Sequence, residues 1–319
     1  MNRKQIAMGA FAAVAILLSV MNASWIAPQP KGSLALIAHR GIGQPVDRSR
    51  ARPGECDARA IRASGHNFIE NTQFSMQSAL RFGARGLLLD VHASADGHGV
   101  VFRDASLECR TNGAGRIADH PLAYLKTLDV GFGYSPDGGR TFPLRGRGYA
   151  GMMTVDEVLR NFGHLPLIFH LADARAAEAA VAGFAGAGRK IGPGNGFIGD
   201  AAALARLRQL TQEGWTLDNA ASRSCLSGYR LTGWLGIVPA RCRGVTLHIP
   251  YDGGWTLWGW PYRLIDRMEG LDVRYFLSLD PDGPLVGLEQ ADQLGDVPHD
   301  YTGMLLIEDM HDVGRAVVR

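Results

Sequence analysis

Three histidines and two arginines in this sequence stand where short apolar runs give way to polar residues. His39 and Arg40 follow Leu36-Ile37-Ala38, Asp90 and His92 follow or interleave with 87–91, Arg103 and Asp104 follow 100–102, and His170 closes the run 165–169. The residue types suit phosphate chemistry. An imidazole carries a proton near neutral pH, a guanidinium fork matches phosphate oxygens in shape and charge, and a carboxylate can hold a hard cation. In an extended segment alternate residues share a face, so Asp90 and His92 point the same way and together could bind a metal. Glu70 and Asn71 stand just ahead of Thr72, which opens a helix.

Side chains at strand ends do chemistry together only if a scaffold gathers those ends. From residue 34 onward short apolar runs alternate with helical stretches, the pattern of parallel strands joined by crossover helices. Strands are expected over 34–38, 86–91, 100–102, 165–170, 235–238, 245–249, 273–277 and 304–307. Helices are expected over 72–82, from the capping box of Thr154 and Glu157 to 162, over 174–187 and over 201–213. Such a succession suits a (β/α)8 TIM barrel of about 250 residues, which keeps its reactive groups at the C-terminal ends of the strands. Segments 42–69, 131–151 and 252–261 are long for barrel loops and rich in Gly and Pro, as lids or surface insertions are. In the last, Trp255, Trp258 and Trp260 fit three roles: resting on lipid, roofing a ligand, or packing within the loop.

The chain has 319 residues, of which 46% are hydrophobic and 20% charged, and a net charge of +2. That composition supports a sizeable core and supplies no basic field for nucleic acid as a partner. Residues 1–27 differ from the rest, because Arg3 and Lys4 precede an apolar run from 6 to 21. Cleavage after Ala23 or Ala27 would put Met21 or Trp25 where a signal peptidase favours a small residue, so an uncleaved signal anchor is expected, with a cleaved signal peptide as the alternative. The basic flank places the N-terminus inside and the remainder exported, periplasmic or extracellular. Residues 28–33 then form a linker and 34–319 the barrel domain. Four cysteines suit an oxidising compartment; the expected pairing is Cys56 with Cys109 and Cys225 with Cys242, against free buried thiols.

The ordered set of motifs carries more than its parts. His39-Arg40-Gly41, Glu70-Asn71-Thr72, Gly83-Ala84, Leu87-Leu88-Leu89-Asp90-Val91, Asp96-Gly97 and Phe102-Arg103-Asp104 resemble, in order and spacing, the glycerophosphodiester phosphodiesterase family. The resemblance runs on through Cys109-Arg110-Thr111-Asn112-Gly113 and Leu128-Asp129-Val130-Gly131, and is strong to about Val158. It implies a barrel that cleaves lipid-derived glycerophosphodiesters to glycerol 3-phosphate and an alcohol, with two histidines as acid and base and a Mg or Ca ion on a Glu-x-Asp pair and a later glutamate. Carried over by position, His39 matches the first histidine, Arg40 a phosphate-binding arginine, Glu70 and Asn71 supporting residues, and Asp90 the second carboxylate. Leu88 stands where the family has the first carboxylate, Arg103 where it has the second histidine, and either Phe169 or His170 where it has the later glutamate.

Three constructive readings of those substitutions follow. Arg40 and Arg103 could clamp a phosphate, with Asp104 in support. His39, Asp90, His92 and His170 could make a rebuilt site for a softer ion such as zinc. Transfer to an internal hydroxyl, giving a cyclic phosphate, would be a different chemistry on the same barrel. The resemblance thus points to a phosphodiesterase with strongly reduced activity, or to a non-catalytic relative that binds a phosphate or polar-lipid ligand.

Overall fold

The computed structural model describes residues 3–52, 55–281, 283–299 and 301–317. Met1, Asn2, Val318 and Arg319, the outermost residues of the expected anchor and barrel segments, lie outside them, as does the side chain of Arg3. In chain order the elements are α1 (Arg3–Met21), β1 (Ala35–His39), α2 (Gln73–Arg81), β2 (Gly86–Ala93), β3 (Gly99–Val101), α3 (Leu122–Leu125), β4 (Met153–Thr154), α4 (Val155–Phe162), β5 (Leu167–Leu171) and α5 (Ala174–Gly186). They continue with β6 (Asn195–Gly199), α6 (Ala201–Leu210), β7 (Trp215–Leu217), α7 (Asn219–Thr232), β8 (Thr246–Pro250), α8 (Tyr262–Met268), β9 (Arg274–Ser278), β10 (Met304–Ile307) and α9 (Met310–Val317).

Two compact units divide the chain, the smaller made of Met1–Leu34, Asn219–Leu285 and Gly295–Leu305 and the larger of Ala35–Asp218, Val286–Leu294 and Leu306–Arg319. In the larger unit parallel strands run in the order β7-β6-β5-β2-β1. The strand interiors are apolar on both faces, as in a parallel sheet that helices cover. Each crossover helix starts on its own signal: Thr154 closes a capping box with Glu157, and Asp173 and Asp200 cap α5 and α6. In the smaller unit β8 pairs in parallel with β9, and β9 with the first residues of β10.

Two expectations need correction. Residues 235–238 form no strand; Gly233–Leu235 is a 3-10 turn ended by Gly236 at φ 78°, and Leu235 and Ile237 are exposed, so their apolar character belongs to a surface. The segment after β2 is no parallel barrel strand either, because β3 folds back antiparallel on β2 and carries β4 on its far side. Of the three tryptophans in 252–261, Trp260 has its ring 5.9 Å from that of Tyr301, outside the segment, whereas Trp255 and Trp258 are exposed. The expected disulfides are both present, Cys56–Cys109 and Cys225–Cys242.

Candidate active site

The chain leaves β1 through a strained turn. Arg40 sits at φ 63° and Gly41 at φ 83°, and a Cβ on Gly41 would come within 2.6 Å of Ser75 Oγ and 2.8 Å of the Met76 nitrogen. Only glycine permits that approach of the start of α2. The second motif holds the first in place: the Asn71 N–H donates to the Arg40 carbonyl at 2.8 Å, the Arg40 N–H donates to the Leu88 carbonyl at 2.8 Å, and Thr72 caps α2. Asn71 is itself left-handed, at φ 62°. Each non-glycine residue held there costs about 1–3 kcal/mol, and such costs collect at functional sites.

Strand register fixes what faces what. Directly paired residues of a parallel sheet share a face, and His39 pairs with Leu88, Leu88 with Ile168, and Asp90 with His170. His170, not Phe169, therefore stands beside Asp90; Phe169 faces the opposite way, into the core, with its ring 5.7 Å from Phe184 and 6.0 Å from Phe197. Asp90 is a hub. Its Oδ2 accepts a short hydrogen bond from Arg40 Nε, its Oδ1 lies 2.8 Å from His170 Nδ1, and His39 Nε2 is 3.9 Å from Oδ2. His39 Nδ1 is 2.7 Å from Glu308 Oε2. A carboxylate only accepts, so Nδ1 bears a proton, and in the neutral ring Nε2 is the basic nitrogen. That Nε2 is buried and makes no hydrogen bond within the protein, and the same holds for both side-chain polar atoms of Asn71.

Three arginines are threaded between five carboxylates. Arg40 also reaches Glu308 at 3.1 Å. Arg103 pairs with Asp57 and lies 3.6 Å from Glu70. Arg110, fully buried, donates to Glu70 at 2.7 Å, to Asp57 at 2.5 Å and to Asp104, while the Tyr134 hydroxyl donates to Glu70 at 3.0 Å. Arg40 and Arg103 are thus not a free clamp, since both guanidinium groups are already bound to carboxylates. The cleft over His39, Glu70, Arg103 and Glu308 holds about 20 Å³, room for little more than one water molecule. Arg48 in the insertion after β1 pairs with Glu289 at its rim, at 2.5 Å.

His39, Arg40, Glu70, Asp90, Arg103, Asp104 and His170 are brought into one network. His92 is not: its Nε2 faces the Arg103 carbonyl at 3.4 Å, and burial lowers its pKa. The four-residue zinc set does not form, and among the described residues no group of three or more His, Cys, Asp or Glu is arranged for a metal ion. Nor do the residues fit Mg or Ca, for Leu88 is buried and brings no oxygen, and both oxygens of Asp90 are engaged. Sequence reasoning missed Glu308, Asp57 and Tyr134, and left Arg110 without a role. Glu308 had a signal, as the carboxylate that follows the apolar run 304–307; Asp57, in an insertion, had none.

The network makes stability pH-dependent. Burial works to raise the Glu70 carboxyl, but Arg110, then Arg103 and Arg40, bring it down to about 2. Burial likewise opposes ionisation of Asp90 and Glu308, and is outweighed by Arg40 and His170 at the first and by His39 and Arg40 at the second. Carboxyls depressed by folding contribute stability that is whole above their unfolded pKa of about 4 to 4.5 and is lost as pH falls through the folded values. The urea midpoint is expected to drop steadily from about pH 4.5 towards 2. A midpoint that stays level over that range would contradict the network.

Residues 62–173 match the model of the Glycerophosphoryl diester phosphodiesterase family. A glycerophosphodiester phosphodiesterase of Caldanaerobacter subterraneus is 40% identical over 72 residues, which is 23% of this chain and 30% of the relative. Glycerophosphodiester phosphodiesterase 1 of Rattus norvegicus is 31% identical over 128 residues, 38% of this chain and 39% of the relative. The matched stretch spans between about three-tenths and two-fifths of these relatives' length. Among solved structures, a Mycobacterium tuberculosis glycerophosphoryl diester phosphodiesterase domain superposes with TM-score 0.59 at 16% identity, over 88% of this chain and 97% of its own. An Oleispira antarctica phosphodiesterase in complex with its product sn-glycerol-3-phosphate does so with TM-score 0.57 at 17% identity, over 93% and 100%. These likenesses establish the fold class, the (β/α)8 TIM barrel.

Proposed function

We infer that this chain, which carries a glycerophosphodiester phosphodiesterase-family domain at residues 62–173, acts on lipid-derived glycerophosphodiesters in the exported compartment with strongly reduced hydrolysis. The observation that carries this reading is the state of two positions. Leu88, on the same strand face as Asp90, is buried and offers no ligand, and Arg103 puts a guanidinium, which only donates and is bound to Asp57, where the family has a proton-carrying imidazole. His39 remains as a base, turned by Glu308 so that Nε2 faces Asp90. Loss of a metal ligand or of a proton carrier costs about 10²-fold or more each, and such losses need not add.

The purified chain should turn over glycerophosphocholine at least about 10²-fold more slowly than an intact relative assayed beside it, with no response to chelator. His39→Asn should abolish the remainder. Fast, chelator-sensitive turnover sinks the reading. A second reading, ligand binding without catalysis, is favoured by the unpaired, buried Asn71 amide. Calorimetric binding of sn-glycerol 3-phosphate with no measurable hydrolysis would select it.

The exported, anchored localisation in this reading is supported by α1. Its segment Lys4–Met21 has a mean hydropathy of 1.8 and is long and apolar enough to cross a membrane; the whole helix Arg3–Met21, 19 residues, is about 28 Å long. An anchor that holds the barrel outside the cytoplasm is consistent with the two disulfides.

A further inference from the structure

Exposed aromatic and aliphatic side chains are concentrated in the smaller unit, around the point where α1 ends. Trp25 and Trp255 are each 81% exposed and Leu231 is 76% exposed, with Trp234, Ile237 and Trp258 also open. Hydrogen bonds join them. Asn22, just beyond α1, donates to the Trp234 carbonyl at 3.0 Å; Trp258 Nε1 donates to the Arg230 carbonyl at 2.9 Å; and Arg230 reaches Thr256, next to Trp255, at 3.3 Å. Single exposed apolar residues are ordinary, but a joined set of this kind marks an interaction surface.

The helix is bolted to the patch. Arg267 donates to the Met21 carbonyl at 2.9 Å, to Asn22 Oδ1 at 3.1 Å and to the Gly233 carbonyl at 2.7 Å. The Tyr262 N–H donates to Ser24 Oγ at 2.9 Å. Whatever medium receives the end of α1 therefore meets Trp25 and Trp234 as well. Within α1, Lys4–Met21 is unburied along its length, and its apolar residues lie all round it instead of forming a stripe, as in a helix that enters hydrocarbon. The patch also has the chemistry of the lipid headgroup layer. Tryptophan concentrates there, and Trp234 and Trp258 have already given their indole N–H to backbone carbonyls, so their rings can leave water without stranding a donor.

We propose that this patch of the smaller unit is seated in the interfacial layer of the bilayer that α1 enters, so that the chain is held to lipid by a surface as well as by a helix. The proposal rests on α1 as an anchor, and one experiment separates the two. The full chain is reconstituted into vesicles of phosphatidylcholine and phosphatidylglycerol carrying lipids brominated at shallow or deep positions, floated on a density gradient, and its tryptophan emission recorded. Wild type, Trp255→Phe, and a triple variant with Trp234→Phe, Trp255→Phe and Trp258→Phe are compared. These residues are exposed; emission from buried Trp215 reports the fold of the larger unit and that from Trp260, packed against Tyr301, the fold of the smaller.

Shallow bromine should quench wild type more than deep bromine does. The quenched component should fall about two-fold or more in the triple variant and by a smaller step in Trp255→Phe. A chain that does not float removes the anchor itself, and the proposal with it. One that floats but shows equal quenching in wild type and triple variant overturns the seated surface alone. Dimers whose patch tryptophans are shielded from bromine would put a second copy of the chain there, which also overturns it.

Discussion

Replacing Leu88 with glutamate and Arg103 with histidine together is expected to raise glycerophosphocholine hydrolysis by about 10²-fold or more and to make it depend on added Ca²⁺ or Mg²⁺. Leu88 and Asp90 are two residues apart on one strand face, so a glutamate at 88 would set its carboxylate beside that of Asp90. Histidine at 103 would supply an imidazole across from His39, while Asp57 keeps Arg110 as a partner. The cost falls on Leu88→Glu, which buries a charge where the native residue is fully enclosed. A divalent ion should offset it, so the melting temperature of the double variant should rise with Ca²⁺ or Mg²⁺ while that of the wild type should not. His170→Glu added to the pair tests the remaining position, because register places His170 beside Asp90. If the triple variant gains neither hydrolysis nor an ion-dependent melting shift, the substitutions at 88 and 103 are not what limits this site.

Arg110→Ala carries the largest expected stability effect, a loss of about 3–5 kcal/mol at pH 7. Arg110 is fully buried and serves Glu70, Asp57 and Asp104 at once, so truncation leaves buried carboxylates short of a counter-charge. A buried pair can be nearly neutral overall and still be costly to break from one side. The pH dependence supplies the check. Against burial, Arg110 is the largest charge holding the Glu70 carboxyl down, so without it Glu70 takes up its proton at a higher pH, and in acid the gap between variant and wild type in urea unfolding should narrow. A loss under about 1 kcal/mol at pH 7, or one that does not shrink in acid, would mean that water and the other arginines already screen this cluster.

The parts of the site legible in the sequence were those tied to strand ends. His39-Arg40-Gly41 and Asp90 stand out because an apolar run stops at a charged residue, and Glu70-Asn71-Thr72 because a capping threonine opens α2. Other parts lacked a period to read. β5 is buried on both faces as Leu-Ile-Phe-His-Leu, so sequence alone left Phe169 and His170 one register step apart, and only pairing with β2 decides. β6 was overlooked because Asn-Gly-Phe-Ile-Gly reads as a turn, and β7 because it is only three residues long. The triple pairing of Arg110 was invisible, for Asp57 and Glu70 lie 53 and 40 residues away from it.

The Cys56–Cys109 bridge closes a 53-residue span, and its two ends are the immediate neighbours of Asp57 and Arg110. Such a cross-link removes about 4 kcal/mol of loop entropy from the unfolded chain, and here it does so at the point where the insertion delivers Asp57 to two guanidinium groups. Opening the bridge is therefore expected to leave Asp57 on an untied loop, so that its pairing with Arg103 and Arg110 loosens while the strands that carry His39 and Asp90 stay in place.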